Sequence, residues 1–442
     1  MITLSMKDLI AEHGVVGAGG AGFPTAVKLT ARAEMLIVNA AECEPLLHKD
    51  KELLVHHWPE VRRGLEIALQ RVGASRAVIG IKEKHEKLIR RLQKALPPDT
   101  SLHSLADAYP SGDEFILVYD ITGRVIPPGG LPIHLGIVVC NVETLFNIGC
   151  ERPVTHKFLT VAGAVRRPST LRVPIGTPLA DVIEAAGGSV VPEFRVLVGG
   201  AMMGRLAGGL DEPVTKTTGG LIVLPASHPL IARYSLGWRQ VGRKAKSACD
   251  QCSFCTELCP RYLLGHPIEP HKAMRSVAFG RHNPEIGLPV YSAPASEGLY
   301  CCGCNLCSLF SCPEDLDPKE VCLFNKSNAK REARDTGNRE YRPHPLINAR
   351  RVPTARLSRK LGLSSFVDEG ALSDKELRPA RVVLPLVQHI GRPCTPLVKV
   401  NQRVREGELV GAPPNDALGA NLHASITGTV RSVSPEEIVI EG

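Results

Sequence analysis

Residues 249–260 read CDQCSFCTELCP, and this stretch determines the structure of the middle of the chain. The cysteines Cys249, Cys252, Cys255 and Cys259 have two, two and three residues between them, and a proline follows the last one. This spacing is typical of bacterial runs that bind [4Fe–4S] clusters, in which three thiolates surround one corner of a cubane. We therefore expect an iron–sulfur centre here.

A second run follows, with one additional residue before its last cysteine. It consists of Cys301, Cys304, Cys307 and Cys312, and again ends in Cys-Pro. In proteins with two such runs the fourth cysteine of each ligates the other cluster, so Cys259 is expected to join Cys301, Cys304 and Cys307, and Cys312 to join Cys249, Cys252 and Cys255. Zinc binding is the alternative, but zinc sites take their ligands as two separated pairs rather than as triplets ending in Cys-Pro. Cys302 remains a rival of Cys301 for one ligand position.

Composition describes a globular chain of several domains. The chain has 442 residues, 43% of them hydrophobic, and 14 cysteines, and it has neither an apolar run long enough to span a membrane nor a secretory signal at its start. Nine cysteines lie between Cys249 and Cys312, which is unlike a disulfide framework. The expectation is a soluble, cytoplasmic protein that binds metal.

The formal charge of +8 has a single origin. Residues 326–360 contain eleven Lys or Arg and three Asp or Glu, so this segment holds the whole surplus. Its prolines and weak periodicity predict a basic, solvated linker over 326–378 rather than a nucleic-acid-binding element. No nucleic-acid partner is expected.

The remaining pattern predicts a multidomain protein of mixed α/β and α+β class. Alternating apolar runs and helical stretches predict an α/β domain over 1–155. A hairpin, a helix and further strands predict a β-grasp domain over 156–235. The cysteine runs form an α-helical two-cluster domain over 240–325, and short strands broken by Gly and Pro predict an all-β domain over 379–442.

Glycines are concentrated near the start, where residues 13–25 read HGVVGAGGAGFPT. Glycine-rich loops let backbone amides approach a phosphate closely. The Rossmann fingerprint requires a strand directly upstream, whereas residues 7–12 have a helical pattern, so an ordinary dinucleotide fold is disfavoured. A flexible loop without a ligand is the alternative.

Four ordered motifs of this region resemble the flavoprotein subunit of respiratory NADH dehydrogenase. They are GAGGAGFPT at 17–25 with Lys28, NAAECEP at 39–45 with Lys49 and Asp50, YPSGDE at 109–114, and NVET at 141–144. The resemblance implies that FMN and NADH bind here, with Glu42 and Phe23 beside the reacting ring. The residues that it implies for cofactor binding are Gly17, Gly19, Gly20, Gly22, Lys28, Asn39, Glu44, Gly112, Glu114, Asn141 and Thr144.

The whole chain resembles two families, the RnfC subunits of membrane ferredoxin:NAD oxidoreductases and the PduS-type cobalamin reductases of propanediol-degrading microcompartments. Both combine the flavin domain with a β-grasp domain of SLBB type, paired cluster runs and a barrel-sandwich hybrid domain. The barrel-sandwich domain follows the clusters here, which is the PduS order. That resemblance implies an NADH-dependent enzyme that reduces cobalamin to cob(I)alamin for adenosylcobalamin recycling, located in or attached to a microcompartment. It also implies an iron–sulfur shell protein and an adenosyltransferase as partners. An RnfC-like electron conduit that does not act on a corrinoid is the alternative.

Overall fold

The computed structural model describes residues 6–279, 281–283, 288–290, 298–328, 341–415 and 417–442. Within these ranges, no helix combines the length and the apolar character needed to cross a membrane. The expected mixed architecture is confirmed, with an α/β unit, a β-grasp unit, a helical cysteine unit and an all-β unit in chain order.

The first unit is built on a parallel sheet. Its strands are β1 (Met35–Ala40), β2 (Arg76–Lys82), β3 (Thr100–Leu105), β4 (Ala108–Tyr109) and β5 (Ile137–Asn141). Its helices are α1 (Met6–Glu12), α2 (Thr25–Lys28), α3 (Lys49–His56), α4 (Trp58–Val72), α5 (Glu86–Gln93), α6 (Glu114–Thr122) and α7 (Val142–Gly149), with 3₁₀ turns at Glu83–His85 and Pro132–Leu135. The sheet order is β3-β2-β1-β5, and every pairing in it is parallel.

Both faces of this sheet are covered, which explains the continuous apolar sequence of β1. Leu36, Ile37 and Val38 are all buried, as is usual for strands packed between helices. Helices α4 and α7 approach closely, because a Cβ on Gly64 would lie 1.8 Å from the Leu145 carbonyl oxygen. Only glycine permits this contact, which fixes α7 and, with it, the end of β5.

The second unit is a β-grasp fold. It contains β6 (His156–Gly163), β7 (Ser169–Pro174), α8 (Leu179–Ala185), β8 (Phe194–Val198), β9 (Arg205–Leu206) and β10 (Gly220–Pro225). The sheet order is β7-β6-β10-β8-β9, with β6 and β10 parallel and the other pairs antiparallel. Helix α8 covers one face, and its Leu179, Val182 and Ile183 share a core with strand residues.

The third unit carries the two cysteine runs and is mainly helical. It contains α9 (Pro229–Tyr234), α10 (Trp238–Ala248), α11 (Phe254–Glu257), α12 (Pro260–Leu263), α13 (Pro270–Phe279), a π-helix (Cys307–Ser311) and α14 (Pro318–Asn328), with a small hairpin of β11 (Arg281–Asn283) and β12 (Leu288–Val290). Helices α10, α13 and α14 pack together through Val241, Met274 and Val321.

The basic segment differs from the solvated linker that its composition predicts. From residue 341 onward it packs on the first unit, where β13 (Val352–Pro353) pairs with β4 and is followed by α15 (Thr354–Lys360). Leu357 and Leu363 are fully buried, and Arg351 forms a bidentate ion pair with Asp120. Residues 341–378 are therefore not the solvated tether that the composition predicts, because Arg350 and Arg351 form ion pairs with Glu257 and Asp120 and the buried leucines anchor the segment. Residues 329–340 lie outside the described ranges.

The last unit is all-β. Its strands are β14 (Arg381–Pro385), β15 (Thr395–Pro396), β16 (Arg403–Val404), β17 (Leu409–Ala412), β18 (Leu422–His423), β19 (Gly428–Val433) and β20 (Glu437–Glu441). They form antiparallel sheets of order β14-β20-β19-β16 and β15-β17-β18. This unit touches the glycine loop directly, because the Ile390 amide donates to the Gly22 carbonyl at 2.9 Å.

Candidate functional site

The glycine loop lies at the switch point of the parallel sheet. β2 and β3 lie on one side of β1, whereas β5 lies on the other, so the strand order reverses between β1 and β5. Ligands of open α/β sheets bind beyond the carboxyl ends of the strands at such a point. Asn39 and Asn141 are register partners at the ends of β1 and β5. The two asparagines predicted to line the flavin are therefore neighbours at the expected place.

The loop itself is closed by its own backbone. The Gly17 amide donates to the Phe23 carbonyl at 2.9 Å, and the Gly22 amide donates to the Gly17 carbonyl at 3.1 Å. A Cβ on Gly19 would touch Asn141, whereas one on Gly20, whose φ is +112°, would meet no atom within 4 Å. Gly19 and Gly20 are exposed. The loop thus presents an open surface of backbone beside the switch point, which fits a phosphate-bearing flavin.

Beneath the loop lies a buried group of four charged side chains, Lys49, Asp50, Glu143 and Lys157. Lys49 Nζ lies 2.6 Å from Asp50 Oδ1 and 3.3 Å from Glu143 Oε2. Lys157 Nζ also binds Glu143 Oε2 and donates to the Ala18 carbonyl at 3.2 Å. Because each charge has an opposite partner, the group can stay ionised away from water.

The same charged group fixes the loop and Asn141. The Ala18 amide donates to Thr144 Oγ1 at 2.9 Å, and Asn141 Nδ2 donates to Asp50 Oδ2 at 2.8 Å. Burial lowers the pKa of Lys157 to about 8, although Glu143 acts to raise it. For Lys49, burial acts to lower the pKa, but Asp50 and Glu143 outweigh it and raise the pKa.

Lys157 is a residue that the sequence motifs did not identify. It belongs to β6 of the β-grasp unit, far along the chain from the loop that it holds. In the sequence, its one signal is a charged residue at the start of a mainly apolar strand. In the structure, residues 157–163 of that strand are all buried. A buried lysine needs a partner, and that partner is Glu143 of the first unit.

The predicted acidic residues occupy different surroundings. Glu42 Oε2 accepts from the Asp50 amide at 3.1 Å, and burial, together with the nearby Asp50, raises the pKa of Glu42 to about 8. Glu44 accepts from the amides of Met202 and Met203, each at 2.8 Å, and burial raises its pKa to about 7. Glu44 thus links the first unit to the β-grasp unit.

The other predicted flavin residues lie around the same edge of the sheet. Asn39 Nδ2 donates to the Gly112 carbonyl at 2.8 Å. Lys28 Nζ donates to the Val139 carbonyl at 3.0 Å and lies 3.8 Å from Glu114 Oε1. Burial raises the pKa of Glu114. Phe23 is half-buried within the glycine loop.

The two cysteine runs fold alike. The residue before the second cysteine and the residue after it have positive φ in both runs, at Gln251 and Ser253 in the first and at Gly303 and Asn305 in the second. These left-handed residues curl each loop around a common centre. The fourth cysteines also match, because Cys259 has φ −69° and ψ 120°, and Cys312 has φ −75° and ψ 119°.

The additional residue of the second run is accommodated by a change of helix type. The first run has the short α-helix α11 (Phe254–Glu257), which contains Cys255, whereas the corresponding turn of the second run, Cys307–Ser311, is a π-helix. A π-turn takes up one inserted residue without changing the direction of the chain. Cys312 therefore reaches the position that corresponds to Cys259.

The structure brings the cysteines together in the crossed sets that the spacing predicts. One pocket of the helical unit is lined by Cys249, Cys252, Cys255 and Cys312. Burial raises the pKa of Cys255 to about 12, and Cys252, Cys312 and Cys249 act in the same direction. Four converging sulfur donors around such a space fit an iron–sulfur cubane. No three His, Cys, Asp or Glu side chains in the described ranges are arranged around a single-ion position.

The other set contains Cys259 with the second run. Burial raises the pKa of Cys259 to about 12, and the nearby Cys302 and Cys301 act in the same direction. The pKa of Cys307 is raised by burial, and then by Cys301 and Cys259. The Cys302 thiol lies against Cys304, whereas the Cys301 thiol hydrogen-bonds to Cys322, so Cys302 remains a rival of Cys301 for the ligand position.

Comparison with known proteins gives four family matches along the chain. Residues 10–149 match the Nuo51 FMN-binding domain, 158–206 the SLBB domain, 248–317 a 4Fe-4S dicluster domain, and 372–441 the RnfC barrel sandwich hybrid domain. The FMN-binding and 4Fe-4S matches support the expectation that the chain binds FMN and iron–sulfur clusters.

Two curated relatives match over nearly the full length, and another matches over part of it. The chain is 43% identical to the cobalamin reductase PduS of Salmonella typhimurium strain LT2 over 98% of this chain and 96% of that one. It is 40% identical to the PduS of Citrobacter freundii over 99% and 96%. It is 35% identical to a subunit of the Na(+)-translocating ferredoxin:NAD(+) oxidoreductase complex of Acetobacterium woodii, over 59% of this chain and 58% of that one. A solved NAD+-reducing [NiFe]-hydrogenase in the H2-reduced state aligns with a TM-score of 0.49 and 20% identity, over 74% of this chain and 63% of that one.

Proposed function

The chain belongs to the family of the cobalamin reductase PduS, and we propose that it is an oxidoreductase that transfers electrons from NADH to cobalamin. One NADH releases two electrons and one proton as it becomes NAD+, so it converts two cob(II)alamin into two cob(I)alamin. Flavin exchanges two electrons as hydride or one at a time, and cubane clusters exchange single electrons, which meets this requirement.

The observation that carries the proposal is the proximity of the two kinds of site. We call residues 39–45 the flavin segment. On one side of the loop at 109–113, the Gly112 carbonyl accepts a hydrogen bond from Asn39 of this segment, and on the other side Tyr109 Oη donates to the Cys304 carbonyl at 2.7 Å. A flavin site and a cluster site joined by one short loop suit electron transfer. A purely architectural role for the cysteines would not need this contact.

The residues proposed to hold the flavin are those around the switch point. Gly19 and Gly20 would offer backbone amides to the phosphate, Gly17 and Gly22 close the loop through their own backbone hydrogen bonds, and Lys28 would offer a cation. Asn39, Asn141, Thr144, Gly112 and Glu114 would lie around the ring system, and the hydrogen bonds described above hold them in place. The buried group beneath the loop keeps these residues in place before the ligand arrives, which lowers the cost of ordering the loop on binding.

The proposed reaction with NADH takes place beside Phe23, Glu42 and Glu44. The raised pKa of Glu42, about 8, leaves its carboxyl largely protonated at neutral pH. A neutral carboxyl can donate a hydrogen bond to the reacting ring, and it does not repel the dinucleotide phosphates. Two [4Fe–4S] clusters are proposed on the crossed sets Cys249, Cys252, Cys255 with Cys312, and Cys301, Cys304, Cys307 with Cys259.

The proposed setting follows from the family. Cob(I)alamin is a strong reductant that must be adenosylated promptly, so an adenosyltransferase is a suitable partner. We propose that the protein works inside or attached to a bacterial microcompartment, with an iron–sulfur shell protein as a second partner. The proposed boundaries of its domains are 1–155, 156–235, 240–325 and 379–442.

The proposal is tested by an anaerobic assay with the fully loaded protein. Cob(I)alamin formation from cob(II)alamin and NADH is measured beside NADH-driven reduction of a viologen dye. Formation of cob(I)alamin supports the proposal. Dye reduction without cob(I)alamin would contradict it and favour the RnfC-like conduit.

A further inference from the structure

The two cysteine sets have different surroundings. The inner set comprises Cys259, Cys301, Cys304 and Cys307, and the outer set comprises Cys249, Cys252, Cys255 and Cys312. On the basis of the proposed function, we infer that the inner set receives electrons from the flavin segment across Tyr109, and that the outer set is where the corrinoid docks, against Cys252 and Phe254.

Tyr109 connects the inner set to the flavin segment. It is 2% exposed, and its hydroxyl donates to the backbone of Cys304, a residue of the inner set. The tyrosine shares a hydrophobic cluster with Cys43, the residue between Glu42 and Glu44. A Cβ on Gly112 would lie 3.2 Å from Cys43 Sγ, so the loop and the flavin segment are in close contact.

A second contact joins the inner set to the same loop. Arg261, two residues after Cys259, forms a bidentate ion pair with Asp113 at 2.6 and 2.9 Å. Its guanidinium also lies 3.9 Å from the centroid of the Phe115 ring. Arg261 is buried. Bidentate pairs of this kind fix both distance and orientation, so the inner set is held rigidly against the flavin domain.

The outer set faces away from the flavin domain. The residues that line its cavity besides the cysteines, among them His271, Met274, Glu314 and Leu316, all belong to the helical unit. Cys252 is the one exposed cysteine of the fourteen. A cluster held here would have its exposed edge at Cys252, and this edge is where an acceptor would approach.

The chemistry around this edge suits a large macrocycle. Phe254, two residues from Cys252, is 49% exposed, although aromatic side chains are usually buried. The neighbouring cavity walls are apolar at Met274 and Leu316. An exposed ring beside an open cluster edge offers a stacking surface for a corrin ring.

The roles of the two sets are tested with a matched pair of variants, Cys252→Ser and Cys304→Ser. Iron content and the visible absorbance of the remaining cluster are measured without any corrinoid, after reduction of the flavin by NADH or by light with EDTA as the electron donor. In Cys252→Ser the remaining cluster should bleach as in the wild type. In Cys304→Ser the remaining cluster is the outer one. It should bleach normally when dithionite reduces it directly, but much more slowly when the electrons come through the flavin. Equal bleaching in both variants, or the reverse pattern, would overturn the inference.

Two milder substitutions keep the test decisive if a ligand variant fails to fold. Tyr109→Phe keeps the ring and removes only the hydroxyl, and it should slow flavin-driven bleaching of the clusters.

Phe254→Ala should slow cob(I)alamin formation and leave the bleaching of the clusters unchanged. The control is Val190→Ala, at another exposed apolar residue, which should change neither rate. Unchanged rates in both Tyr109→Phe and Phe254→Ala would refute the assignment. If the wild type forms no cob(I)alamin at all, the proposed function fails, while the bleaching experiments still test the order of the two sets.

Discussion

At the scale of single residues, Lys157 shows how one buried cation organises a site. It reaches from the β-grasp unit to Glu143 and to the Ala18 carbonyl. It thereby holds the glycine loop from below. The loop's shape depends on a residue of a different unit, so its sequence alone does not determine its rigidity.

Replacing Lys157 by Met should weaken both folding and flavin retention. Removing one partner of a buried pair leaves the other charge uncompensated, and such changes cost about 3–5 kcal/mol. Denaturant unfolding and FMN per chain would be measured, with the exposed Lys87→Met as the control. Wild-type FMN content in Lys157→Met would contradict the role given to this lysine.

The raised pKa of Glu42 predicts that the free energy of unfolding depends on pH. Its pKa is raised from 4.5 to about 8 in the folded protein, so between these values the folded state keeps a proton that the unfolded state has released. Its contribution to stability is present below pH 4.5 and is lost as the pH rises to about 8. The free energy of unfolding of the FMN-free protein, measured with denaturant between pH 4.5 and pH 8, should decline as the pH rises. The decline should be smaller in the Glu42→Gln variant. The same slope in both proteins would exclude this carboxyl as its source.

At the scale of elements, the two cysteine runs show what spacing can and cannot predict. Triplets ending in Cys-Pro predict iron–sulfur ligands because ligand geometry imposes a local spacing, and the structure places Cys312 with Cys249, Cys252 and Cys255 around one pocket. The π-helix at Cys307–Ser311 was not predicted, since the five-residue interval fits an irregular loop equally well. The basic composition of residues 341–378 predicts a solvated linker, whereas the structure of this segment depends on a few buried anchors such as Leu357.

Crossed ligation can be tested by pairs of substitutions. Cys259→Ala with Cys304→Ala removes two ligands of one cluster, so about four iron atoms per chain should remain. Cys259→Ala with Cys252→Ala removes a ligand from each cluster, so iron should be almost absent. Iron is measured per chain in both double variants. If ligation were not crossed, the Cys259→Ala, Cys252→Ala variant would keep about four iron atoms and the Cys259→Ala, Cys304→Ala variant would keep almost none.

At the scale of the whole molecule, three units meet at Lys216. This buried lysine of the β-grasp unit donates to the Gly14 carbonyl at 2.7 Å and to the Asn421 carbonyl at 2.6 Å. Its own amide donates to Gln388 Oε1 at 3.0 Å. The start of the glycine loop and the C-terminal unit are thus tied through one side chain. No sequence pattern predicted this junction, because its partners are backbone carbonyls.

Lys216→Met should loosen the C-terminal unit. It leaves two carbonyl groups without this donor, at about 1–3 kcal/mol for each buried group left unpaired. Limited proteolysis should then release a fragment near residues 379–442 faster than in the wild type, with the exposed Lys375→Met as the control. Equal proteolysis of the two variants would show that Lys216 does not hold the junction.

Electron transfer from NADH to cobalamin is tested most directly by the stoichiometry of the reaction. Limiting NADH is added anaerobically to the loaded protein with excess cob(II)alamin, and cob(I)alamin is counted by its absorbance. We expect two cob(I)alamin for each NADH consumed. NADH consumption that reduces the flavin and clusters but produces no cob(I)alamin would contradict the proposed reaction.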